Sequence, residues 1–320
     1  MTLTAIALST VTMCGGGALQ ARCTEVPADG VIRRAGRYCV SGERVAASGI
    51  GIDVAAPDVT LDLRNARLRA MTADPKSVGI NVRQEADRAL VIGGTIENFT
   101  IGLSHVSGSG LRVDAVTFRR IGAIGILSSG NGARLRGNVV ESVGGQPLDA
   151  ANAYGIAVNL TGRGVDFQHN TIRDVQRQRL PANVVGEAVG ILVGEGCEDC
   201  VIGDNDVAKM EAEAESIGIW NSGKGKVEIR RNRLSGFDQS VISLGRQFVI
   251  YGNDIRCAAA PRSAGLVMSL GRGGAPDGEG SAMANRFQSC AIDQMICDNG
   301  CRSPWTIEML QKLARPGAGR

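Results

Sequence analysis

The chain has 320 residues, with 44 Gly but only 6 Phe, 3 Tyr and 2 Trp. A hydrophobic share of 43% and a charged share of 21% exclude a disordered chain, and glycine without a period of three excludes collagen. The net charge of +3 is nearly balanced, and the basic residues are scattered among few aromatic residues. This composition indicates a folded protein with no nucleic-acid partner.

Residues 1–21 are predicted to be a signal peptide. The stretch from Thr2 to Met13 is uncharged and largely apolar, and small residues follow up to Ala21, as in an h-region with its cleavage zone. The apolar run is too short to cross a bilayer as a helix. We therefore expect a secreted or periplasmic protein without a transmembrane segment once the signal is removed. A frayed apolar first strand is the alternative.

The cysteine count agrees with export. Removing a signal peptide that contains Cys14 leaves eight of the nine cysteines, and an even number in an exported chain indicates disulfides. Pairing of sequence neighbours predicts the bridges Cys23–Cys39, Cys197–Cys200, Cys257–Cys290 and Cys297–Cys301. A structural zinc site formed by the Cys197/Cys200 and Cys297/Cys301 pairs is the alternative; no metal site is predicted.

A repeat runs through the middle of the chain. A small residue followed by apolar residues recurs at intervals of 23 to 35 residues, and the glycine at most of these positions favours close approach between backbones. Its members are Gly51-Ile52, Gly79-Ile80, Gly102-Leu103, Gly125-Ile126, Gly155-Ile156, Gly190-Ile191, Gly218-Ile219, Val241-Ile242 and Gly265-Leu266. Units of this length bury their apolar faces only by stacking on each other.

Most units also contain an asparagine between two strand-like segments. These residues are Asn138, Asn170, Asn205, Asn232 and Asn253, with Asn285 as a further candidate. Asparagine tolerates the left-handed backbone of a sharp bend and hydrogen-bonds locally. Repeated at one position, it is expected to form a ladder at the bend.

These two features resemble the right-handed parallel β-helix of the pectin-lyase-like superfamily, over roughly residues 45–290. The resemblance implies an all-β solenoid of three parallel sheets and about nine coils. The Gly-Ile strand would belong to the first sheet, and the asparagine bend would separate the second sheet from the third. Residues 22–44 are predicted to be an N-terminal cap and residues 291–320 a C-terminal cap or tail, in which Ser303-Pro304 and an apolar stripe indicate a short helix.

In relatives of this fold the substrate groove lies along the first sheet, and the longer connections of this chain fall beside that sheet. Strand alternation predicts which side chains face outward there: Asp53, Asn81, Arg83, Ser104, Leu127, Ala157, Asn159, Leu192, Trp220, Ser243 and Ser269. Of these, Asn81, Arg83, Asn159 and Trp220 are candidate glycan-binding residues, together with Asp149 from a connection. An exposed tryptophan suits stacking on a sugar ring, and arginine suits a uronate carboxylate.

The candidates for catalysis are Glu187, Arg177 and Arg83, as acid and base groups. The paired or clustered acids of glycosidases and metal-dependent lyases are not evident on the strands. His105 is expected to point inward. The sequence therefore predicts a protein that binds, and as an enzyme would cleave or modify, an acidic polysaccharide as a polysaccharide lyase or glycoside hydrolase. A non-catalytic glycan-binding or envelope structural protein is the alternative. Ca²⁺ is the one cofactor candidate, and the sequence leaves the oligomeric state open.

Overall fold

The computed structural model describes residues 23–47, 49–71, 76–144, 155–177, 188–209, 216–261, 263–269 and 279–297. Within these ranges the regular structure consists of β-strands, and there is no helix of the length and hydrophobicity that a membrane crossing requires. The predicted signal peptide, the predicted C-terminal helix and Cys301 lie outside the described residues.

The strands form three sheets, and each strand pairs in parallel with its equivalents in the neighbouring coils. Eleven described strands make up the first sheet: β2 (Val31–Ile32), β5 (Ile50–Val54), β8 (Val78–Val82), β11 (Ile101–His105), β14 (Ile124–Ser128), β17 (Gly155–Leu160), β20 (Ala188–Val193), β23 (Ser216–Asn221), β26 (Gln239–Ser243), β29 (Ala264–Ser269) and β32 (Ile292–Cys297).

The second and third sheets complete each coil. The second sheet contains β1 (Thr24–Glu25), β3 (Gly36–Cys39), β6 (Val59–Asp62), β9 (Leu90–Ile92), β12 (Arg112–Asp114), β15 (Arg134–Arg136), β18 (Asp166–Gln168), β21 (Cys200–Gly203), β24 (Lys226–Arg230), β27 (Gln247–Tyr251) and β30 (Glu279–Met283). The third sheet contains β4 (Glu43–Ala46), β7 (Arg67–Ala70), β10 (Thr95–Glu97), β13 (Thr117–Ile121), β16 (Val139–Val143), β19 (Thr171–Val175), β22 (Asp206–Ala208), β25 (Arg233–Ser235), β28 (Asp254–Arg256) and β31 (Arg286–Gln288).

The predicted right-handed parallel β-helix is confirmed. The ten described strands of the third sheet mark ten coils, one more than the expected nine. The extra coil comes from β2, β3 and β4, because residues 31–46 extend all three sheets instead of lying outside them. The coil interior is filled by aliphatic side chains and by five fully buried rings: Phe99, Phe118, Phe167, Phe237 and Phe248.

The glycines at the start of the first-sheet strands are required by packing. A Cβ atom added to Gly125 would lie 2.4 Å from the carbonyl oxygen of Ala157 in the next coil and 2.6 Å from Cγ1 of Val140. A Cβ on Gly79 would lie 2.5 Å from Cγ2 of Ile96. These strand positions therefore face inward, where the first sheet comes close to the core side chains of the third sheet and leaves no room for a Cβ atom.

The predicted asparagine ladder is present at the bend between the second and third sheets. In each step the side-chain amide donates to the Oδ1 atom of the asparagine one coil further on, from Asn138 through Asn170 and Asn205 to Asn285. The left-handed conformation, however, belongs to the preceding residue, for example His169 with φ 58° and Asp204 with φ 55°. The asparagines are thus selected for hydrogen bonding between coils, and the expectation that they adopt a left-handed backbone was wrong.

Three of the four predicted disulfides are present. They are Cys23–Cys39, Cys197–Cys200 and Cys257–Cys290. The Cys197–Cys200 bond removes both thiols from the alternative zinc site. The fourth predicted pair includes Cys301, which lies outside the described residues.

Candidate functional site

One edge of the rod receives the long connections. The chain passes from the third sheet to the first through residues 144–154, 176–187 and 209–215 in three consecutive coils. Because the coils stack in register, these connections leave and rejoin the rod at the same edge of the first sheet. The outer face of that sheet is therefore kept as the candidate functional surface.

Two rows of side chains define this outer face. One row is paired across neighbouring strands in the order Asp53, Asn81, Ser104, Leu127, Asn159, Leu192, Trp220, Ile242, Val267 and Met295. The other row, nearer the start of each strand, runs Ile50, Val78, Ile101, Ile124, Ile156, Val189, Ile217, Gln239, Ala264 and Ile292.

The two ends of this face differ in chemistry. At the N-terminal end Ile50 is 45% exposed and the neighbouring row carries polar side chains. From β17 onward, both rows contribute to an apolar cluster separate from the coil interior, in which Val189 and Val267 are fully buried. The aliphatic row was not predicted, although a signal exists: a β-branched residue stands directly before most repeat glycines, as in Ile124-Gly125 and Ile217-Gly218.

The polar end is built around Asp53. The side-chain amide of Asn81 donates to Oδ1 of Asp53 at 2.9 Å, and Nε of Arg83 donates to Oδ2 at 3.0 Å. The carboxylate is nearly buried, with 9% of its side chain exposed, and Arg83 also lies 3.8 Å from Glu85. The hydrogen bond and the charge of Asp53 raise the pKa of Arg83. Since Arg83 is paired and its pKa is raised, this geometry does not suit it to act as a base.

The apolar end contains two polar atoms that have no hydrogen-bond partner among the described residues. Oδ1 of Asn159 and Nε1 of Trp220 are buried and have no hydrogen-bond partner among the described residues. Both side chains are half-buried and belong to the same outer row, with Leu192 between them. Two coil steps separate them, or about 10 Å. Buried polar atoms are nearly always paired in native proteins, with protein groups or with water, so these two atoms are candidates for a hydrogen bond to water or to a ligand.

The remaining candidates are distributed as follows. Arg177 follows the third-sheet strand β19 and is half-buried, whereas Glu187 and Asp149 lie outside the described residues. Two residues expected to face outward point inward instead: Ala157 lies in the glycine row and Ser243 pairs with Asn221, both fully buried. The reason for the second error is register, because Val241 is equivalent to Ile219 and not to Gly218.

His105 is a buried interior residue, as its position in the strand predicted. Its Nδ1 atom lies 3.3 Å from Oγ of Ser128, and its Nε2 atom has no partner among the described residues. Burial lowers the pKa of His105 to about 4, opposed by the charge of Asp87. A fully buried neutral imidazole cannot reach a substrate on the outer face.

A separate groove of about 780 Å³ lies at the bend between the second and third sheets, near the N-terminal end of the rod. Its charged lining residues, Asp62 and Arg64, are bonded to each other at 2.6 Å, and Arg37 holds the same carboxylate. These bonds keep the pKa of Asp62 well below its usual range. With its charges already paired, this groove offers less to a ligand than the first sheet does.

The fold and the outer face define a right-handed parallel β-helix protein with a polar and an apolar end on its first sheet. No family model matches the chain, and no curated protein matches it. Among solved structures it is similar to the crystal structure of DFA-IIIase from Arthrobacter chlorophenolicus A6 in complex with GF2, with a TM-score of 0.51 and 12% sequence identity. The match covers 87% of this chain and 66% of that chain, just under two thirds of its length. At this identity the similarity concerns the fold.

Proposed function

We propose that this chain is an exported glycan-binding protein whose binding surface is the outer face of the first sheet, centred on Asn159, Leu192 and Trp220. The observation that carries the proposal is a pair of buried atoms without a partner among the described residues, the Asn159 acceptor and the Trp220 donor. A sugar hydroxyl donates and accepts hydrogen bonds, and the C–H face of a sugar ring packs on an indole. A glycan would satisfy both atoms and cover the apolar side chains between them.

Export is supported by the disulfides, because such bonds persist in oxidising compartments. The similarity in fold to DFA-IIIase, a protein solved in complex with GF2, adds support for a glycan ligand.

The test is a set of variants measured by titration calorimetry against a glycan panel. Trp220→Phe keeps a ring but removes the N–H donor, and we expect it to weaken binding about fivefold to tenfold, the effect of one hydrogen bond. Trp220→Ala also removes the ring and is expected to weaken binding by about a hundredfold. The matched control is Tyr251→Phe, on the outer face of the second sheet, which should bind normally. Unchanged affinity in both Trp220 variants would refute the proposed surface.

Cleavage is a second candidate function, and the long connections beside the first sheet favour it, since catalytic groups are often carried on loops. In this case Glu187 and Arg177, the other catalytic candidates of the sequence, would supply the acid and the base. Release of reducing ends, or new absorbance near 235 nm, from a bound glycan would establish the activity. Glu187→Gln should abolish it without changing affinity, whereas glycan binding without any product would leave a purely binding protein.

A further inference from the structure

Among the described residues, the two outer rows at the apolar end of the first sheet carry no charged side chain. From β14 to β32, the two outer rows contain aliphatic residues, Met295, Trp220, Asn159 and Gln239, and none of these described positions is Asp, Glu, Lys or Arg. A bound carboxylate or sulfate would therefore lose its water without gaining a cation in these rows. Such an uncompensated charge is strongly unfavourable.

Arg83, the arginine that bonds to Asp53 at the polar end, is already used. Arg83 is bonded to Asp53 and lies near Glu85, so two carboxylates share one guanidinium. Arg83 follows Asn81 by two residues along the chain. Asn81 is itself three coil steps, or about 15 Å, from Asn159. The expected role of Arg83 as the partner of a uronate carboxylate thus finds no support in its contacts.

The three connections that join third-sheet strands to first-sheet strands between Val143 and Ser216 are acidic in sequence. Residues 145–154, 178–187 and 210–215 together contain five acidic residues and one arginine: Asp149, Glu187, Glu211, Glu213, Glu215 and Arg179. Even with Arg177 and Lys209 at their flanks, acids outnumber bases. Because these connections are attached to first-sheet strands, their net negative charge disfavours a polyanion as the ligand.

We infer that the glycan bound at Asn159, Leu192 and Trp220 is neutral, an oligosaccharide of uncharged sugars without carboxylate or sulfate groups. This inference rests on the proposed function and replaces the acidic polysaccharide expected from the sequence. Neutral sugars supply what the surface lacks, namely hydroxyl groups for the two unpartnered atoms and C–H faces for Leu192 and the indole. They do not require a cation.

The experiment compares glycans that differ only in charge. The mature protein is titrated with a neutral panel and with matched acidic oligomers, such as mannose against mannuronate and galactose against galacturonate oligomers. We expect binding to one or more neutral members at least about tenfold tighter than to any acidic counterpart. The affinity should change little between about 0.05 M and 0.5 M NaCl, because no ion pair is screened. Trp220→Ala should weaken this binding about a hundredfold, with Tyr251→Phe as control.

The outcomes separate the inference from the proposed function. Tighter binding to a uronate oligomer that depends on Trp220 would overturn the neutral-glycan inference and leave the proposed surface standing. Absence of binding to either panel, or neutral binding that survives Trp220→Ala, would overturn the proposed surface and the inference with it. As a gain-of-charge variant, Leu192→Lys should reduce neutral binding and raise the affinity for uronates with a strong salt dependence.

Discussion

Asn170 and Asn205 are joined by two hydrogen bonds that cross from one coil to the next. The backbone N–H of Asn170 donates to Oδ1 of Asn205 at 2.9 Å, and Nδ2 of Asn170 donates to the same atom at 3.1 Å. Asn205 repeats this arrangement with Asn232 and also donates to the carbonyl oxygen of Phe167. One side chain thus serves three successive coils.

The first prediction concerns this ladder. Asn205→Ala should lower the free energy of unfolding by roughly 3 kcal/mol, because it leaves several buried donors and acceptors without partners. Asn285→Ala, at the half-buried end of the ladder, should cost about 1 kcal/mol, since its bonds reach only one side. Urea denaturation measures both. If the two variants lost the same free energy of unfolding, the buried hydrogen bonds of the ladder would not be what stabilises the protein.

The second prediction concerns the glycine row. Gly125→Ala places a methyl group against the Ala157 carbonyl oxygen and Val140, so it should destabilise the protein by about 2 kcal/mol or more. The control is Gly164→Ala. At Gly164, with φ +65°, no atom lies within 4 Å of an added Cβ, and only backbone strain of about 1 kcal/mol is expected. If thermal unfolding showed a smaller loss of stability for Gly125→Ala than for Gly164→Ala, the close approach between coils at Gly125 would not be what requires glycine there.

The third prediction is a loss of stability in acid caused by His105. Its pKa is lowered from 6.5 to about 4 by burial, so between these values the unfolded chain takes up a proton that the folded chain does not. Stability is therefore lost as the pH falls through this window, by about 3 kcal/mol in total once the pH is below 4.

The corresponding measurement is the free energy of unfolding at pH 7 and at pH 4.5. His105→Gln should lower the value at pH 7 but reduce the difference between the two pH values. His169→Gln, which removes an imidazole exposed at a bend, is measured alongside as the control. If the pH dependence of the free energy of unfolding persisted in His105→Gln, groups other than His105 would be responsible for it.

The fourth prediction concerns a buried carboxylate on the outer face of the third sheet. Glu97 has 2% of its side chain exposed and contacts Arg119 at 2.6 Å, Arg120 at 2.7 Å and Arg67 at 3.5 Å. Glu97→Gln leaves three guanidinium groups around a neutral amide and should cost roughly 3 kcal/mol.

Glu43→Gln provides the matched control on the same sheet. Glu43 pairs with Arg69 and is 46% exposed, so its loss should cost less than about 1 kcal/mol. Chemical denaturation at low and high salt distinguishes the two sites, because added salt should abolish only the effect of the exposed pair. If Glu97→Gln and Glu43→Gln both lost only a little stability, the three arginines would have to turn toward water when Glu97 is neutralised.

Much of the fold could be predicted because its rules are local. A short strand, a two-residue bend and a glycine at the next strand recur within each coil, so their spacing in the sequence reveals the solenoid. The disulfides could be predicted for a similar reason, since Cys23–Cys39 and Cys197–Cys200 join residues that are close in sequence. The residues of the candidate site were harder to predict, because the alternation of inward and outward side chains must be counted from the correct first residue of each strand. One slip at Val241 placed Ser243 on the wrong face.

The sequence by itself determined that the chain stacks in coils, because each unit has an apolar pattern that only a neighbouring unit can bury. Tertiary structure alone decided which side chains are free to meet a ligand. Asp53 and Arg83 are 30 residues apart, and the variable coil length conceals that they meet and cancel their charges. Strand alternation had already made Asn159 and Trp220 candidates, but only the stacked coils show that their buried polar atoms have no partner in the described parts of the chain.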